Sequence, residues 1–344
     1  MADDNVAALY REYLSGTPMA WHPREWSCND GSAPGWPDPL VFPAGETNKT
    51  REQWAALTDA LIDRGFGRDA GIVALGGGVT GDLAGFVAAT YMRGVPILHA
   101  PTTLLAMLDA SVGGKTGVDT THGKNLVGAF HQPAAVVADP LTLLTLPDRD
   151  YRSGLAEAVK HAVVADAEQF GWLRTMAGAI GRRDPETVGE LVRRSVAVKA
   201  SIVEADERDA GRRAVLNAGH TVAHALEQAT GYALTHGQAV ALGLVAECAI
   251  GERMGTTAWG TGAEVAGLLE RLGLPARTPI PVAVSALLAP MRLDKKARAS
   301  AVRFALPVGI GGPGEAPWTV EAPEDAVIEG LRAIGAEVDK TRNG

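Results

Sequence analysis

The chain of 344 residues has little cysteine, little lysine and no long hydrophobic run. Its two cysteines, Cys28 and Cys248, are too few for a disulfide framework and predict a protein of the reducing cytoplasm. The longest apolar stretch, residues 239–250, is interrupted by Glu247 and is too short to cross a bilayer. The first residues lack the basic and then apolar pattern of a signal peptide. We therefore expect a cytoplasmic protein without a membrane partner.

Positive charge is scarce as well, since 32 basic residues stand against 40 acidic ones and the formal net charge is −8. No basic stripe is visible, which argues against nucleic acid as the partner. A hydrophobic fraction of 46% excludes general disorder. Because an ammonium is a compact charge with a tunable pKa that a guanidinium cannot replace, the few lysine positions are informative. There are eight: Lys49, Lys115, Lys124, Lys160, Lys199, Lys295, Lys296 and Lys340.

The pattern of apolar residues changes near Pro147. Before it, short apolar runs bounded by glycine, such as 71–75 and 95–100, alternate with amphipathic segments, which predicts parallel strands and helices. After it, helical periodicity dominates. We expect a Rossmann-like α/β domain over residues 1–147 and a mainly α-helical domain over 148–344. A segment rich in tryptophan and proline, residues 15–45, is expected to be a long irregular loop.

A glycine-rich turn at Gly76–Gly81 fits the pattern G-x-G-x-x-G between a predicted strand and a predicted helix. Such a turn lets the backbone approach a pyrophosphate at a helix N-terminus. The acidic residue expected about twenty positions later is missing. A bound dinucleotide would therefore need a ribose-binding acid from elsewhere in the chain, and the alternative is a plain tight turn.

A second glycine-rich stretch carries Lys115 and, nine residues later, Lys124. Its Gly-Gly-Lys-Thr resembles a P-loop, but Asp109 stands where that motif has its first glycine, which argues against a Walker-type NTPase. Two lysines in glycine-rich loops indicate binding of a phosphate or a carboxylate. The alternative is a pair of solvated surface lysines.

Two histidines, His220 and His224, stand four residues apart on a predicted helix, with His236 further along and Glu157 upstream. Histidine and carboxylate ligands suit a divalent transition metal such as zinc. Spacing alone indicates that His220 and His224 are both ligands. The alternative is that they are ordinary helix histidines.

Longer motifs carry a specific resemblance, and they lie at residues 75–91, 101–106, 109–118, 123–125, 128–133, 154–160 and 216–221. Together they resemble the 3-dehydroquinate synthases, the sugar-phosphate cyclases of the shikimate pathway. The resemblance implies an NAD-binding domain followed by a metal- and substrate-binding domain, with NAD+ and Zn2+ or Co2+ as cofactors, in a homodimer. The implied enzyme is a carbon–oxygen lyase that converts 3-deoxy-D-arabino-heptulosonate 7-phosphate to 3-dehydroquinate and phosphate. Its reaction combines transient NAD-dependent oxidation, β-elimination of phosphate, re-reduction and aldol closure.

The resemblance also implies residue roles. It assigns Glu157, His220 and His236 as the metal ligands, so His236 and Glu157 replace His224, which spacing alone had indicated beside His220. The substrate and catalytic positions are Arg93, Asp109, Lys115, Asn125, Lys160, Lys199, Arg213, Asn217, His224 and Lys296, with Arg93 reaching the neighbouring subunit. The NAD positions are Asp3, Glu46, Lys49, Gly78, Val79, Thr80, Gly81, Asp82, Thr102, Thr103, Lys115, Lys124, Thr142 and Thr145, with Asp3 as the missing ribose-binding acid.

The chain departs from this family at a few positions. Its N-terminal strands are expected to be shortened relative to the family, and His161 stands where tyrosine is common. Two alternatives therefore remain beside the implied activity. One is another sugar-phosphate cyclase on the same scaffold, and the other is an inactive relative with a truncated N-terminus.

Overall fold

The structure is a computed structural model that describes residues 1–10, 38–298, 302–312 and 314–338, without the side chains of 292–298. Most of the tryptophan- and proline-rich segment, and the side chain of Lys296, thus lie outside the described residues. The chain divides into two units. Unit 1 is Met1–Thr102 with Gly114–Ala138, and unit 2 is Thr103–Gly113 with Asp139–Gly344. The domain boundary near residue 147 stays a prediction.

Unit 1 is built on a five-stranded parallel sheet with the order β2-β1-β3-β4-β7. Its strands are β1 (Ala2–Asp3), β2 (Val41–Phe42), β3 (Ile72–Gly76), β4 (Ile97–Pro101) and β7 (Ala135–Val136). The predicted parallel sheet is thereby confirmed. The first strand is only two residues long, and it places Asp3 at its carboxyl end.

Three helices belong to this unit: α1 (Asp4–Leu9), α2 (Arg51–Asp63) and α3 (Gly78–Thr90). Helix α3 packs on β3 and β4, and α2 packs on α3. The shared core includes Phe42, Leu57, Ile72, Leu83, Val87 and Ile97. Short 3-10 turns follow at Glu46–Asn48 and Tyr91–Arg93.

The segment that carries Lys115 and Lys124 is a β-hairpin, so the prediction of two glycine-rich loops was wrong. Its strands are β5 (Lys115–Thr120) and β6 (Gly123–Phe130), paired antiparallel. Gly117 faces Gly128 across the hairpin, and a Cβ on Gly128 would lie 2.1 Å from the carbonyl oxygen of Thr116. The glycines therefore allow a close approach of two strands rather than a loop.

Unit 2 is mainly helical, as predicted. Its helices are α4 (Asp148–Ala165), α5 (Ala167–Gly181), α6 (Pro185–Ala205), α7 (His220–Ala229), α8 (His236–Met254), α9 (Thr261–Arg271), α10 (Val284–Arg298) and α11 (Glu324–Ala333). The unit also contains 3-10 turns at Pro140–Thr145 and Arg212–Asn217 and a π-turn at Ala106–Ala110. A short strand, β8 (Arg303–Phe304), pairs antiparallel with β9 (Val320–Glu321).

Helix α8 lies at the centre of unit 2 and is buried on nearly every side. It contains the longest apolar run of the chain, and a helix that is apolar all round is a core helix. None of the described helices combines the length and the apolar character that a bilayer crossing needs. The apolar run therefore serves packing, and the buried Glu247 within it needs a separate explanation.

Candidate active site

Three helices of unit 2 bring Glu157, His220 and His236 together. Glu157 lies inside α4, His220 is the first residue of α7, and His236 is the first residue of α8. Their ligand atoms lie within 4.8 Å of one another. Glu157 Oε1 is 3.7 Å from His220 Nε2 and 3.6 Å from His236 Nε2. Tetrahedral ligands with bonds of about 2.1 Å stand about 3.4 Å apart, so this spacing fits a zinc-sized ion.

The polar atoms of this group also fit an ion. Glu157 is fully buried, and its Oε1 has no hydrogen-bond partner among the described residues. A buried carboxylate oxygen without a partner is costly unless something else satisfies it. A bound cation would satisfy it, and three protein ligands would leave a fourth position for substrate.

Each histidine is oriented through its other ring nitrogen. Nδ1 of His236 lies 3.1 Å from Oε1 of Glu227, and Nδ1 of His220 lies 3.2 Å from the carbonyl oxygen of Ala218. Oxygen acceptors at Nδ1 hold the proton there and leave Nε2 for a metal, which is the usual outer arrangement of a histidine ligand. Glu227 was not predicted, although it lies seven residues after His220 on the same helix.

The two histidines differ in their proton affinity. Burial and the Lys160 ammonium lower the pKa of His220 to about 3, so its ring is neutral. Burial opposes protonation of His236 too, but the negative charge of the Glu157 and Glu227 carboxylates, the second within hydrogen-bond distance, raises its pKa to about 10. Because only a neutral Nε2 can bind a metal, an ion must displace a proton from His236.

Two buried lysines lie beside the same group. Lys160 Nζ forms an ion pair with Glu157 Oε2. Lys199 Nζ donates to Oδ1 of Asp109 at 2.7 Å and also to the Asp109 carbonyl oxygen. His161 Nε2 lies 3.8 Å from the same Oδ1. Asp109, Glu157 and His161 offer a second convergent set of ligand atoms, but the two ammonium groups on its carboxylates oppose a cation there.

The surroundings shift the pKa values of the two lysines in opposite directions. Burial lowers the pKa of Lys199 more than the Asp109 carboxylate raises it. For Lys160, the Glu157 and Asp109 carboxylates outweigh burial and raise the pKa. Against the effect of burial, Lys199 and Lys160 hold the pKa of Asp109 well below its usual range. Lys160 is therefore a fixed charge, whereas Lys199 is the better candidate for proton transfer.

Three other predicted residues of unit 2 are Arg213 and Asn217, on the segment that leads into α7, and His224, inside α7. The buried Arg213 donates from Nη1 to the Glu207 carbonyl oxygen at 2.7 Å and from Nη2 to that of Gly113 at 3.1 Å. Asn217 and His224 are exposed, and the His224 ring lies edge-on to that of His220, with 5.7 Å between centroids. Within the described residues, His224 is outside the convergent group that contains His220 and His236.

In unit 1 the glycine-rich turn joins β3 to α3, as the motif predicts. A Cβ on Gly76 would lie 2.4 Å from Thr80 Oγ1, so only glycine fits there. Thr80 Oγ1 donates to Asp3 Oδ2 at 2.9 Å, and the other Asp3 oxygen accepts from the Val6 N–H at 3.1 Å. The N-cap of α3 is Gly77, which offers no side-chain cap. The first turn of α3 thus has N–H groups for an anion, with a carboxylate beside them.

A second polar cluster of unit 1 contains the buried Lys49. Its Nζ donates to Asp82 Oδ2 at 2.5 Å and to Asn125 Oδ1 at 2.6 Å. Glu46 Oε1 lies 4.0 Å from this ammonium and 3.6 Å from Lys124 Nζ. Although burial opposes it, charge from Asp82 and Glu46 raises the pKa of Lys49. Four residues predicted to bind NAD (Glu46, Lys49, Asp82 and Lys124) thus lie together with Asn125, which is predicted to bind the substrate.

Comparison with known proteins identifies the family. Residues 39–153 match the family model for the N-terminal part of 3-dehydroquinate synthase, and residues 154–297 match the model for its C-terminal part. The chain belongs to the 3-dehydroquinate synthase family. The 3-dehydroquinate synthase of Acidithiobacillus ferrooxidans is 43% identical over 335 residues, which cover 97% of this chain and 88% of that protein.

Solved structures of related cyclases share the fold. The 2-epi-5-epi-valiolone synthase of Streptomyces hygroscopicus, determined with NAD+ and Zn2+ bound, has a TM-score of 0.81 and 28% identity, covering 97% of this chain and 89% of that one. A 2-deoxy-scyllo-inosose synthase, in complex with carbaglucose-6-phosphate, NAD+ and Co2+, has a TM-score of 0.76 and 27% identity, covering 85% and 82%. Both support the α/β and helical architecture.

The other positions that the family resemblance assigns are spread over both units. In unit 1, Val79 and Gly81 lie in the first turn of α3, and Thr102 donates its N–H to the Gly76 carbonyl oxygen at 2.9 Å. Lys115 is exposed at the start of β5, and Arg93 is exposed with a φ of 70°. In unit 2, Thr103 accepts from the Ala106 N–H at 3.2 Å, and the 3-10 turn Pro140–Thr145 contains Thr142 and Thr145.

Proposed function

We propose that the chain is a 3-dehydroquinate synthase, which converts 3-deoxy-D-arabino-heptulosonate 7-phosphate to 3-dehydroquinate and phosphate. The observation that carries this proposal is the convergence in unit 2 of a metal-ligand triad, Glu157, His220 and His236, with the buried ammonium groups of Lys160 and Lys199. A metal-dependent dehydrogenase of a neutral polyol has no use for such an anion-binding set. The identity of 43% with a 3-dehydroquinate synthase, against 28% with a valiolone synthase, favours this substrate over other sugar phosphates.

Glu157, His220 and His236 would hold Zn2+ or Co2+. Such an ion supplies a Lewis acid that stabilises negative charge on a substrate hydroxyl oxygen. Glu227 would keep a proton on Nδ1 of His236 and so leave Nε2 available as a ligand.

The turn from Gly78 to Asp82 would hold the pyrophosphate of NAD+, and Asp3 would bind a ribose hydroxyl. When bound there, NAD+ would supply a hydride acceptor that is regenerated within one turnover. Lys49 fixes Asp82 through its hydrogen bond and leaves the carboxylate oriented at the first turn of α3.

The substrate carries a carboxylate and a phosphate, and the proposed cations for them are Lys115, Lys160, Lys199, Arg213 and Lys296. Asn125, Asn217 and His224 would supply neutral hydrogen bonds. Lys199 has the additional role of exchanging a proton at Nζ, because its pKa is lowered by burial. Asp109, which stays ionised, holds that Nζ in place at 2.7 Å.

The same proposal includes a cytoplasmic homodimer with an N-terminal domain ending near residue 147. In the dimer, Arg93 would reach the site of the neighbouring subunit. The support for these features is the resemblance to the family together with the exposed position of Arg93.

A direct assay tests the function. Purified protein is incubated with the heptulosonate phosphate, NAD+ and Zn2+ or Co2+, and released phosphate and 3-dehydroquinate are measured. Glucose 6-phosphate serves as the control substrate for another cyclase activity. Phosphate release from the control alone would establish a different cyclase, and no turnover by folded, metal-loaded protein would establish an inactive relative.

Replacing Lys199 by methionine is expected to lower kcat by about 10²- to 10⁴-fold, because the group that exchanges a proton is lost. Zinc content should not change, since Lys199 pairs with Asp109 and not with Glu157. Arg253→Met is the control, because this exposed side chain pairs with Asp325 and Glu329 at the surface, away from the proposed ligands. A wild-type kcat in folded Lys199→Met protein would contradict the assigned role.

A further inference from the structure

Glu247 is a buried glutamate for which the proposed chemistry has no use. It is the charged residue that interrupts the apolar run 239–250, and it is 0% exposed in the middle of α8. Burial raises its pKa to about 8, although backbone N–H groups lower it. An apolar side chain of similar size would avoid this cost, so packing alone does not explain a carboxylate at this position.

The carboxylate of Glu247 caps the first turn of α7. Oε2 accepts the Gly219 N–H at 2.7 Å, and Oε1 accepts the Val222 N–H at 3.2 Å. The first N–H groups of a helix have no partner within the helix, and an acidic group satisfies them best. This role normally belongs to a Ser, Thr, Asp or Asn at the N-cap. Here a side chain from the neighbouring helix takes that place.

The packing of the two helices explains why the cap comes from α8. The N-cap residue of α7 is Gly219, with a φ of 80°, and a Cβ there would lie 2.9 Å from the Leu244 nitrogen. From the other side, a Cβ on Gly243 would lie 1.9 Å from the Gly219 carbonyl oxygen. The backbones of α7 and α8 are thus in contact, so Gly219 has no room for a capping side chain of its own.

We propose that Glu247 is a positioning residue of the metal site. Glu247 lies on α8 eleven residues after the ligand His236, and its carboxylate binds the first turn of α7, which begins with the ligand His220. It thus joins the two helices that carry these two of the three ligands. Their ring centroids lie 5.4 Å apart. By holding the first turn of α7 against α8, Glu247 fixes this separation before an ion binds. The inference rests on the proposed function of Glu157, His220 and His236 as metal ligands.

The test is the isosteric change Glu247→Gln, measured at a pH above the Glu247 pKa of about 8, where the wild-type carboxylate offers two acceptor oxygens. An amide keeps one acceptor oxygen but sets an NH2 donor against a backbone N–H donor, so the first turn of α7 should shift. Loss of a group that orients a ligand typically costs 10- to 100-fold in metal affinity. We therefore expect the zinc Kd, measured by competition with a chromophoric chelator, to rise at least about tenfold. The visible absorption of the Co2+-loaded protein should change with it.

Helix α8 also provides a matched control. Glu252 Oε1 accepts the Gly262 N–H at 2.8 Å, in the first turn of α9, which carries no proposed ligand. Glu252→Gln makes the same chemical change at a helix start of the same unit. We expect its zinc Kd and Co2+ spectrum to match those of the wild type. A merely structural role of Glu247 would lower Tm without moving either readout.

An unchanged zinc Kd in folded Glu247→Gln protein would overturn the inference. If that variant does not fold, amide hydrogen exchange of the wild type tests the inference instead. We then expect the amides of residues 219–222 to be equally protected with and without zinc. Fast exchange that slows only with zinc would show that the turn is not held beforehand. If instead the proposed metal ligands are wrong, the wild type and His220→Ala would bind zinc equally weakly, which distinguishes that outcome from failure of the inference about Glu247.

Discussion

Changing Glu157 to glutamine is expected to abolish both zinc binding and turnover. The change is isosteric, so no cavity forms, but it removes the charged ligand from a group that otherwise contains two histidines. It also leaves the Lys160 ammonium, only 2% exposed, without its paired carboxylate. Breaking a buried ion pair from one side typically costs about 3–5 kcal/mol of unfolding free energy. Zinc per chain after dialysis, kcat and urea unfolding of the zinc-free protein measure the three effects.

Glu190→Gln removes the same charge at the surface, where Glu190 pairs with Arg193 and Arg194. Zinc content, kcat and stability of this control should match those of the wild type, because exposed ion pairs contribute little. A Glu157→Gln protein that still holds one zinc per chain with wild-type affinity would refute the ligand assignment and, with it, the central observation behind the proposed activity.

The second large effect is expected from Gly237→Ala. Gly237 follows the ligand His236, and a Cβ there would lie 2.0 Å from the Ser153 carbonyl oxygen on α4. Its N–H also donates to Ser153 Oγ at 2.9 Å. Because the obstacle is backbone, which cannot rotate away as a side chain can, the start of α8 must move away from α4 and separate His236 from Glu157. We expect a loss of about 3 kcal/mol or more in unfolding free energy, with a weaker zinc Kd.

Gly267→Ala is the paired control for this substitution. Gly267 lies inside α9, and a Cβ there would meet no atom within 4 Å. Alanine is the better helix former by about 0.5–1 kcal/mol, so the control should become more stable. Chemical unfolding of both variants under the same conditions gives the comparison. If both variants changed the unfolding free energy by similar, small amounts, α4 and α8 would have room for a methyl group where Gly237 meets Ser153.

The sequence alone predicted helices with a regular spacing of apolar residues. It missed helices and strands in which glycine or proline interrupts that spacing. Helix α6 was expected from Pro185 onward and begins there. Helix α5 was not predicted, because its three glycines, Gly171, Gly178 and Gly181, weaken the helical pattern. Helix α10 was missed since Pro290 lies inside it. The hairpin was misread because Gly117 and Gly128 have meaning only once the two strands are paired.

The candidate site shows a similar limit. Spacing identifies side chains that share one helix face, which is why it favoured His220 and His224. Spacing contains no information about which helices meet in space, and His236 lies beside His220 because the first turn of α7 packs against α8. The family resemblance supplied that choice. Glu227 and Glu247 carry no motif, and the interruption of an apolar run was the one available signal for Glu247.

The scarcity of lysine has a consequence for the chemical reactivity of the protein. Of the five lysine side chains that the structure describes, Lys49, Lys160 and Lys199 are no more than 5% exposed, whereas Lys115 and Lys124 are exposed. Reagents that acylate amines need an accessible, unprotonated nitrogen. Among these five lysines, acylation of the folded chain will therefore concentrate on the two in the hairpin, and modification at residues 160 or 199 will report that unit 2 has opened.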